Sequence, residues 1–454
     1  MPGSQSFRPR ITLAASALGF VVVLLDVSVV NVALDAFRAQ FATDVTGLQW
    51  VVNAYTLIFA ALLLTAGAMG DRFGARSIFA GGLILFTIAS LACGLAPDLD
   101  TLVVARIAQG AGAALLVPNS LSLIQQAFPD REERSRAVGW WGAAGGMALA
   151  AGPVVGGFLV AHFGWRSIFL INLPIGLMGL ALILRFSRPS LANPQRSLDW
   201  PGQISAITAL AALAIALINA SPLGWTHTRI LTALLVSAIA GIGFVIIEWR
   251  SRAPMLPLSL FSVPSFSIAS VSGVIVNFAY YGLIFVLSLF FQWEQKLSPQ
   301  ETGLAFLPMT ILLVVMNILA GRLITRLGAR RLMVFGQALA ATGYLLLLPA
   351  STAGSYWLLV LPMVLAGSGS ALMIPTMTNV TLSSVDPSRA GIASGVLNTA
   401  RQVGGLLGVA VFGYFVRDTA PDAFARGMHL SIGAAAVALT FGAVLSWVGL
   451  KREH

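Results

Sequence analysis

Charged residues are scarce in this chain: they make up 10% of its 454 residues, whereas 57% are hydrophobic. Soluble globular domains carry about 25% charged residues, so the composition excludes a water-soluble protein. Lysine is almost absent, and neither Lys296 nor Lys451 is followed by serine or threonine. The phosphate-binding loop GxxxxGKS/T therefore cannot occur, which excludes an ATP-driven pump of the P-loop type.

Metal-ligating and redox-active residues are equally few. Cys93 is the only cysteine, and the four histidines, His162, His227, His429 and His454, lie far apart in the sequence. Neither a disulfide nor a Cys/His metal site is predicted. A membrane-embedded enzyme would need clustered nucleophiles, histidines or metal ligands, so we expect a protein that is not an enzyme and that uses no metal or other cofactor.

Long apolar runs are abundant instead. A bilayer core of about 30 Å requires roughly 20 apolar residues per helix, and fourteen runs of that kind predict fourteen transmembrane helices in an all-α integral membrane protein. They lie near residues 11–34, 48–69, 77–97, 101–124, 137–161, 167–184, 201–219, 230–248, 268–291, 303–321, 332–350, 356–379, 390–415 and 428–449. The stretches between them are too short to fold as soluble domains.

The net charge of +10 comes from 27 basic and 17 acidic residues. If residues 1–10 are cytoplasmic, 19 basic residues lie in inner loops and 6 in outer loops, and Arg106 and Arg401 lie within helices. Basic residues mark the cytoplasmic side, so both termini are predicted to be cytoplasmic and the charge indicates topology in a lipid bilayer rather than a nucleic-acid partner. The excess of arginine over lysine favours a bacterial source, and hence the plasma (inner) membrane.

The chain also repeats itself. GAMGDRFGAR at 67–76 matches GRLITRLGAR at 321–330 in five places, and QGAGAALLVP at 109–118 matches AGSGSALMIP at 366–375. Helix 2 therefore corresponds to helix 10, and helix 4 to helix 12. The offset predicts two six-helix bundles, 1–186 and 266–454, separated by two inserted helices in 187–265. Parallel repeats are a transporter architecture with the substrate site between the halves.

Several of these segments resemble known family motifs. The loop 67–76, RIAQGAGAALLVP from Arg106, and AGPVVGG at 151–157 resemble signatures of the major facilitator superfamily. LDVSVVNVAL from Leu25 and WRSIFLINLPIG from Trp165 resemble motifs of its fourteen-helix drug:proton antiporter branch. The resemblance covers most of the chain and implies the major facilitator fold and a proton gradient as the energy source. Asp35 stands where the branch usually has proline.

Asp26 is the only carboxylate predicted well inside a helix, where an ionised carboxylate costs several kcal/mol. By a rise of about 1.5 Å per residue, Asp26 lies about 12 Å and Arg106 about 7 Å below the outer surface, close enough for long side chains to pair. Together with the resemblance, this predicts that Asp26 titrates and that Arg106 couples its charge to the substrate. A structural hydrogen-bonding aspartate and a static ion pair remain the alternatives.

Arg401, near the middle of helix 13, has no second intramembrane acid to neutralise it. We expect it to face the cavity and to receive an anionic or polar substrate group; structural capping is the alternative. Other polar and aromatic residues of the inner helices are predicted to line the same cavity, although each of them is also of a type that packs helices. They are Asn31, Trp50, Asn53, Tyr55, Asn119, Asn277, Tyr280, Tyr281, Gln292, Asn317 and Asn398.

Two segments are predicted to control conformation. By resemblance, the loop 67–76 latches the two halves and decides which side opens, whereas an ordinary positive-inside turn is the alternative. In AGPVVGG, proline bends a helix and glycine permits close helix contact, which by resemblance limits proton leak. The predicted gating residues are Gly67, Asp71, Arg72, Gly74, Arg76, Gly152, Pro153, Gly156 and Gly157.

The sequence therefore predicts a monomeric, proton-coupled exporter of amphipathic or lipophilic small molecules, such as drugs or antibiotics, that works by alternating access. A dedicated exporter of one endogenous metabolite and a lipid translocator remain close alternatives. A membrane-embedded enzyme is a distant one. A passive channel is disfavoured because the repeat indicates moving halves rather than a ring of equivalent pore segments.

Overall fold

A computed structural model describes residues 8–190, 192–195, 198–251, 254–352, 355–386 and 389–450. The segments 1–7 and 451–454, for which a cytoplasmic location is predicted, lie outside the described residues, as do the basic residues Arg196 and Arg252. The described chain is almost entirely helical.

Its fourteen long helices correspond to the fourteen predicted segments. They are α1 Pro9–Phe41, α2 Val45–Phe73, α3 Ala75–Leu95, α4 Leu99–Ala127, α5 Arg131–Phe163, α6 Ser167–Phe186, α7 Trp200–Leu223, α8 Thr228–Arg250, α9 Pro264–Trp293, α10 Pro299–Leu327, α11 Ala329–Thr352, α12 Tyr356–Ser383, α13 Ala390–Phe415 and α14 Pro421–Gly449.

Thirteen of these described helices are apolar and long enough to count as membrane spans by composition, and α13 is the exception. It carries the polar run Asn398–Gln402, including Arg401. Its 26 residues, at about 1.5 Å each, still exceed the roughly 30 Å of a bilayer core. The helix packs between α9 and α2, so its polar run lies inside the protein and not against lipid.

The two halves repeat the same backbone features. A Cβ atom on Gly82 in α3 would lie 3.2 Å from the Gly112 carbonyl oxygen in α4, and one on Gly336 in α11 would lie 3.1 Å from the Gly369 carbonyl oxygen in α12. Each pair of helices therefore packs through the same small-residue contact. The correspondence between helices 4 and 12 is confirmed.

The turn after α2 and the turn after α10 also correspond. Gly74 has φ +90° and Gly328 has φ +78°, a region that side chains with Cβ atoms rarely adopt. The repeat between helices 2 and 10 is thus present in the backbone. The domain boundaries 1–186, 187–265 and 266–454 stay a prediction.

Burial separates the inner helices from the peripheral ones. In the most apolar 18-residue stretch of α9, 78% of the residues are buried, compared with 6% in that of α8. The inserted helices α7 and α8 pack on each other, and α7 also contacts α2 and α13. The pair therefore lies on the outside of the α2–α13 contact, with α8 facing the membrane.

The halves meet mainly along two helix pairs, α2 with α13 and α5 with α10, and the end of α1 also contacts α9 and α10. We call the end at which odd-numbered helices finish the outer end and the opposite end the inner end. At the outer end, the Trp293 indole donates a hydrogen bond of 2.8 Å to Asp35, and a Cβ atom on Gly157 would lie 2.5 Å from the Pro299 carbonyl oxygen. Asp35, the departure from the family motif, thus helps to close this end.

The α5–α10 pair opens toward the inner end. Gly139, Gly142 and Gly146 follow one another at helical spacing on the face of α5 that continues to Gly157, yet no described atom of another helix lies within 4 Å of their Cβ positions. The same holds for Gly321 at the inner end of α10. The structure is closed at its outer end and open between α5 and α10 at its inner end.

Candidate functional site

Asp26 and Arg106 form an ion pair inside the first half. Asp26 is fully buried in α1 and Arg106 is 1% exposed in α4, and Arg106 Nη1 bonds Asp26 Oδ2. The pairing that the depth argument predicts is confirmed. The proton-coupling role stays a prediction.

Three further buried side chains complete this site. Gln109 accepts from Arg106 Nη1 at 2.8 Å and donates to Asp26 Oδ1 at 2.7 Å. Asn172 on α6 donates to the same Asp26 oxygen at 3.1 Å, and both amides donate to Ser90 Oγ on α3 at 2.9 Å. The carboxylate is therefore held by one cation and two amide donors, as a buried charge requires.

Gln109, Asn172 and Ser90 are not among the site residues predicted from the sequence. Gln109 follows Arg106 by one helical turn within RIAQGAGA, and Asn172 belongs to WRSIFLINLPIG. Their positions within these family motifs could have identified both as site residues. Ser90 lies outside every motif and gives no signal in the sequence.

Helix α2 holds the other side of Arg106. Arg106 Nε donates to the Val51 carbonyl oxygen at 3.1 Å, and the guanidinium carbon lies 4.4 Å from the centre of the Tyr55 ring. Tyr55 is fully buried, and its hydroxyl donates to Val23 at 3.4 Å. Tyr55, predicted to bind substrate, thus belongs to the ion-pair site through a cation–π contact.

A separate cavity lies between the halves. It is narrow in this conformation, with about 20 Å³ of space accessible to water. Asn277, Tyr281 and Arg401 line it as predicted, and Asn398 accepts from Arg401 Nη1 at 3.3 Å at its edge. The full lining is Leu149 from α5, Val276, Asn277, Tyr280 and Tyr281 from α9, Leu313 from α10, Ser370, Ala371 and Ile374 from α12, and Arg401 from α13.

Two residues predicted for the cavity belong instead to the outer closure. The Asn31 carbonyl oxygen accepts from Ser288 Oγ at 2.5 Å, and Gln292 Oε1 accepts from the Asp35 backbone N–H at 3.3 Å. Both contacts join α1 to α9. The side chains of Ser288 and Gln292 therefore hold the two halves together through the backbone of α1, whereas the Asn31 side chain donates to the Val27 carbonyl oxygen of its own helix at 3.1 Å.

The four remaining residues occupy different surroundings. Asn119 joins α4 to α2 by donating to the Ala66 carbonyl oxygen at 3.0 Å, and Trp50 packs in an apolar cluster with α7 and α13. Asn53 is 1% exposed, and neither amide atom has a hydrogen-bond partner among the described residues. Asn317 is half-buried on the α10 face that continues to Gly321, at the inner opening.

The predicted gating loop lies at the inner end of the first half. Arg76 Nε donates to the Ile183 carbonyl oxygen at 3.3 Å, and its guanidinium also bonds the Leu184 carbonyl, at the carboxyl end of α6. The Asp71 carbonyl oxygen accepts from the Asn193 backbone N–H at 2.9 Å, in the segment before α7. These contacts join the loop to its own half and to the linker.

Arg72 of this loop lies 5.4 Å from the Phe73 ring centre, and the nearest described side chain to a Cβ atom on Gly67 is Pro118 at 3.7 Å. The second repeat has a matching contact, because Arg330 donates from Nε to the Trp447 carbonyl oxygen at 3.0 Å at the end of α14. An arginine at the carboxyl end of a helix is stabilised by the helix dipole.

The AGPVVGG segment contacts both halves. Cβ atoms on Gly152 and Gly156 would meet Ser28 and Val29 of α1, with the Val29 backbone at 3.0 Å, so these glycines pack α5 onto the helix of Asp26. Pro153 contacts Gly303 of α10, and Gly157 contacts Pro299 of the same helix. The predicted tight contact at the interface of the halves is present.

Residues 16–409 match the family model described as the Major Facilitator Superfamily. The methylenomycin A resistance protein of Streptomyces coelicolor is 38% identical over 452 residues, which cover 100% of this chain and 94% of the relative. The multidrug resistance protein Stp of Mycobacterium tuberculosis is 38% identical over 403 residues, which cover 89% of this chain and 75% of the relative.

A solved structure of a bacterial homolog of the human lysosomal transporter Spinster has a TM-score of 0.69 at 18% identity, over 98% of both chains, and shows the shared fold alone. The family and the relatives make this protein a multi-pass membrane transporter of small molecules and not an enzyme. The chain belongs to the Major Facilitator Superfamily.

Proposed function

We propose that the protein exports amphipathic or lipophilic small molecules, such as drugs or antibiotics, in exchange for protons by alternating access. The observation that carries this proposal is the Asp26–Arg106 pair, which is buried within membrane-spanning helices. Burying an ionised carboxylate costs free energy, and protonation of Asp26 would remove the anionic partner of Arg106. The relatives named for antibiotic and multidrug resistance support the outward direction and the substrate type.

Proton binding changes the stability of this arrangement. When Asp26 is protonated, Arg106 loses its anionic partner, and removing one member of a buried pair costs about 3–5 kcal/mol. The protonated protein therefore favours a conformation in which Arg106 is hydrated or finds other acceptors. Differential stability of two conformations is the requirement for coupling.

Helix α2 carries this change toward the other half. It holds Arg106 through Val51 and Tyr55. Near the start of the same helix, the Gln49 side-chain amide donates to the Val409 and Ala410 carbonyl oxygens of α13 at 3.0 and 2.8 Å. Arg401 lies two to three turns earlier on the same α13. A movement of α2 relative to α13 would therefore act on the outer closure and on the cavity together.

The opening at the inner end determines the side from which substrate enters in this conformation. The arginine-rich loops support a cytoplasmic position for this end and for both termini, in the plasma membrane of a bacterium. The structure then represents the conformation in which substrate enters from the cytoplasm while Asp26 is paired. Both halves of the cavity come from one chain, which supports a working monomer, and the proton gradient supplies the energy without a cofactor.

A growth-inhibition panel tests the export of small molecules. Bacteria that produce the protein should tolerate several amphipathic antibiotics better than control cells, and a protonophore should abolish the difference. Protection against one chemical class only would indicate a dedicated exporter. Absence of protection across the panel would contradict drug export and favour a metabolite or lipid as substrate.

The role of Asp26 is tested with the compound that shows the strongest protection. Everted vesicles should accumulate it when a pH gradient is imposed, and Asp26→Asn should abolish that accumulation. Asp44→Asn is the matched control, because Asp44 caps α2 outside the pair and asparagine caps helices equally well. Unchanged accumulation by the Asp26→Asn protein would overturn the assignment of Asp26.

A further inference from the structure

We infer that the cavity around Arg401 binds an anionic group, such as a carboxylate or sulfonate, on a substrate with an apolar body. This inference rests on the proposed function and specifies its substrate class. The Arg401 guanidinium donates from Nη1 to Asn398 Oδ1 at 3.3 Å, whereas Nε is buried with no hydrogen-bond partner among the described residues. Arg401 is half-buried, and a guanidinium with a buried, unpaired N–H and no acidic neighbour in the described cavity lining leaves a site that an anion completes.

No aspartate or glutamate lines the cavity among the described residues. Asn277 and Ser370 already donate to the carbonyl oxygens of Gly273 and Ala366, both at 2.9 Å. The hydroxyl groups of Tyr280 and Tyr281 are further potential donors beside Arg401. Arginine presents a planar fork of N–H groups that matches carboxylate, sulfonate and phosphate geometry.

The remaining lining is apolar and comes from both halves, with Leu149 from α5 facing Leu313 and Ile374 from the second half. An inorganic anion would leave this surface without a contact. An organic anion satisfies both the guanidinium and the apolar walls.

The position of Arg401 is fixed by the packing of α13 on α9. Its Cγ atom lies 3.2 Å from where a Cβ atom on Gly273 would be. The aliphatic part of the Arg401 side chain therefore crosses α9 at a glycine, which has no side chain to obstruct it. One turn later, Gly405 lies against the Tyr281 ring, with a Cβ position 2.9 Å from that ring. The guanidinium is therefore held at the cavity wall before a ligand arrives, which lowers the cost of binding.

The repeat identifies the position in the first half that is equivalent to Arg401. Gly152 and Gly156 pack α5 onto α1 in the way that Gly404 and Gly408 pack α13 onto α9. Arg401 precedes Gly404 by three residues, and the residue that precedes Gly152 by three is Leu149. The corresponding place in the first half thus lines the same cavity with an apolar side chain.

This inference is tested by measuring how two matched dyes bind to the full-length protein. The protein is placed in nanodiscs of neutral lipid, at constant pH and without a gradient. Anilinonaphthalenesulfonate carries the anion, and phenylnaphthylamine is the same molecule without the sulfonate. Equilibrium dialysis against empty nanodiscs corrects for partition into lipid. We expect Arg401→Gln to weaken sulfonate binding roughly tenfold to a hundredfold, as for the loss of a charged hydrogen bond, and to change phenylnaphthylamine binding less than about twofold.

Arg401→Lys keeps the charge without the fork and should give an intermediate affinity for the sulfonate. Arg322→Gln, an exposed site at the inner end of α10, should bind both dyes like the wild type. Sulfonate binding that is unaffected by Arg401→Gln, or an equal loss of both dyes, would overturn the inference. Because no gradient is present, either result leaves pH-driven transport and its dependence on Asp26 to be judged separately.

Discussion

The Gln49 side-chain amide on α2 donates a hydrogen bond of 2.8 Å to the carbonyl oxygen of Ala410 on α13, joining the two halves at the outer end. The same amide donates to Val409 at 3.0 Å, and it lies directly over Gly413, where a side chain would displace it. A fully buried amide with two acceptors on the other half is a specific element of the outer closure.

We expect Gln49→Leu, which removes both donors at similar volume, to favour opening at the outer end. Two neutral hydrogen bonds contribute about 1–3 kcal/mol, which corresponds to roughly a fivefold to hundredfold change in the population of the open form. A reporter is available at Asn53, which is buried one turn further along the same face of α2. In a Cys93→Ser background, Asn53→Cys should react faster with a membrane-impermeant maleimide added outside the cells.

Gln40→Leu, at an exposed site near the end of α1, provides the same substitution away from the closure and should leave the reaction rate unchanged. If the Gln49→Leu and wild-type backgrounds react at the same rate, the amide does not hold the outer end closed.

A second contact of the outer closure involves Gly303 on α10. A Cβ atom on Gly303 would overlap the Pro153 carbonyl oxygen of α5, and this backbone atom cannot withdraw without a shift of the helix. Gly303→Ala should therefore separate the outer ends of α5 and α10 and destabilise the closed form by about 1–3 kcal/mol. Spin labels attached through Phe163→Cys and Gln300→Cys should report a longer distance.

Gly321→Ala is the control for this measurement, because it is on the same helix and no described atom lies within 4 Å of its Cβ position. It should leave the distance between the labels unchanged. An unchanged distance in Gly303→Ala as well would mean that the α5–α10 contact yields without moving the helices.

The turn between α2 and α3 depends on Gly74. Its φ of +90° is unfavourable for other residues, and a Cβ atom would lie 3.1 Å from the Ser190 carbonyl oxygen. Gly74→Ala should therefore lower stability by about 1–3 kcal/mol. Cys93 offers a direct assay, since it is the sole cysteine and is fully buried. A maleimide that fluoresces on reaction with Cys93 should report a lower unfolding temperature.

Gly81→Ala, within α3, meets no described atom within 4 Å and should raise helix stability by about 0.5–1 kcal/mol. A Gly74→Ala protein that unfolds at the wild-type temperature would show that the turn accommodates alanine without strain.

The fourteen helices and the Asp26–Arg106 pair were predictable from the sequence for one reason: both depend on depth along the membrane normal. Runs of apolar residues give the spans, and the rise per residue gives the depth of each charge. The ion pair needed no further information, because Asp26 and Arg106 are the only buried acid and base among the described residues of the first half.

The rotation of each helix about its own axis was not predictable. On α2, Gln49 and Asn53 face the other half, whereas Val51 and Tyr55 face Arg106. A soluble helix has an apolar stripe that fixes its rotation, but a membrane helix is apolar on all sides. Tyr55 and Asn119 were therefore assigned to the cavity, and Gln109 and Asn172 were overlooked, although all four are polar residues at suitable depth.

The amide of Asn172 provides a test of proton coupling that leaves Asp26 and Arg106 in place. It donates to Asp26 Oδ1 at 3.1 Å and thereby stabilises the ionised carboxylate. Asn172→Leu removes this donor and thereby weakens the interactions that hold the ionised form of the proposed coupling site. A hydrogen bond to a charged group contributes about 1.5–3 kcal/mol, so the acidic limb of the pH–transport profile should move upward by roughly one to two pH units.

The shift is measured as accumulation in everted vesicles across a series of pH values, with Asn219→Leu as the control. Asn219 is half-buried on α7 and, among the described residues, bonds only its own helix, at Ile215, so its loss should leave the profile in place. A reduced maximum without any shift would mean that Asn172 supports folding alone. Because a merely structural ion pair has no titration to move, a displaced profile in Asn172→Leu would separate a coupling site from a static contact between α1 and α4.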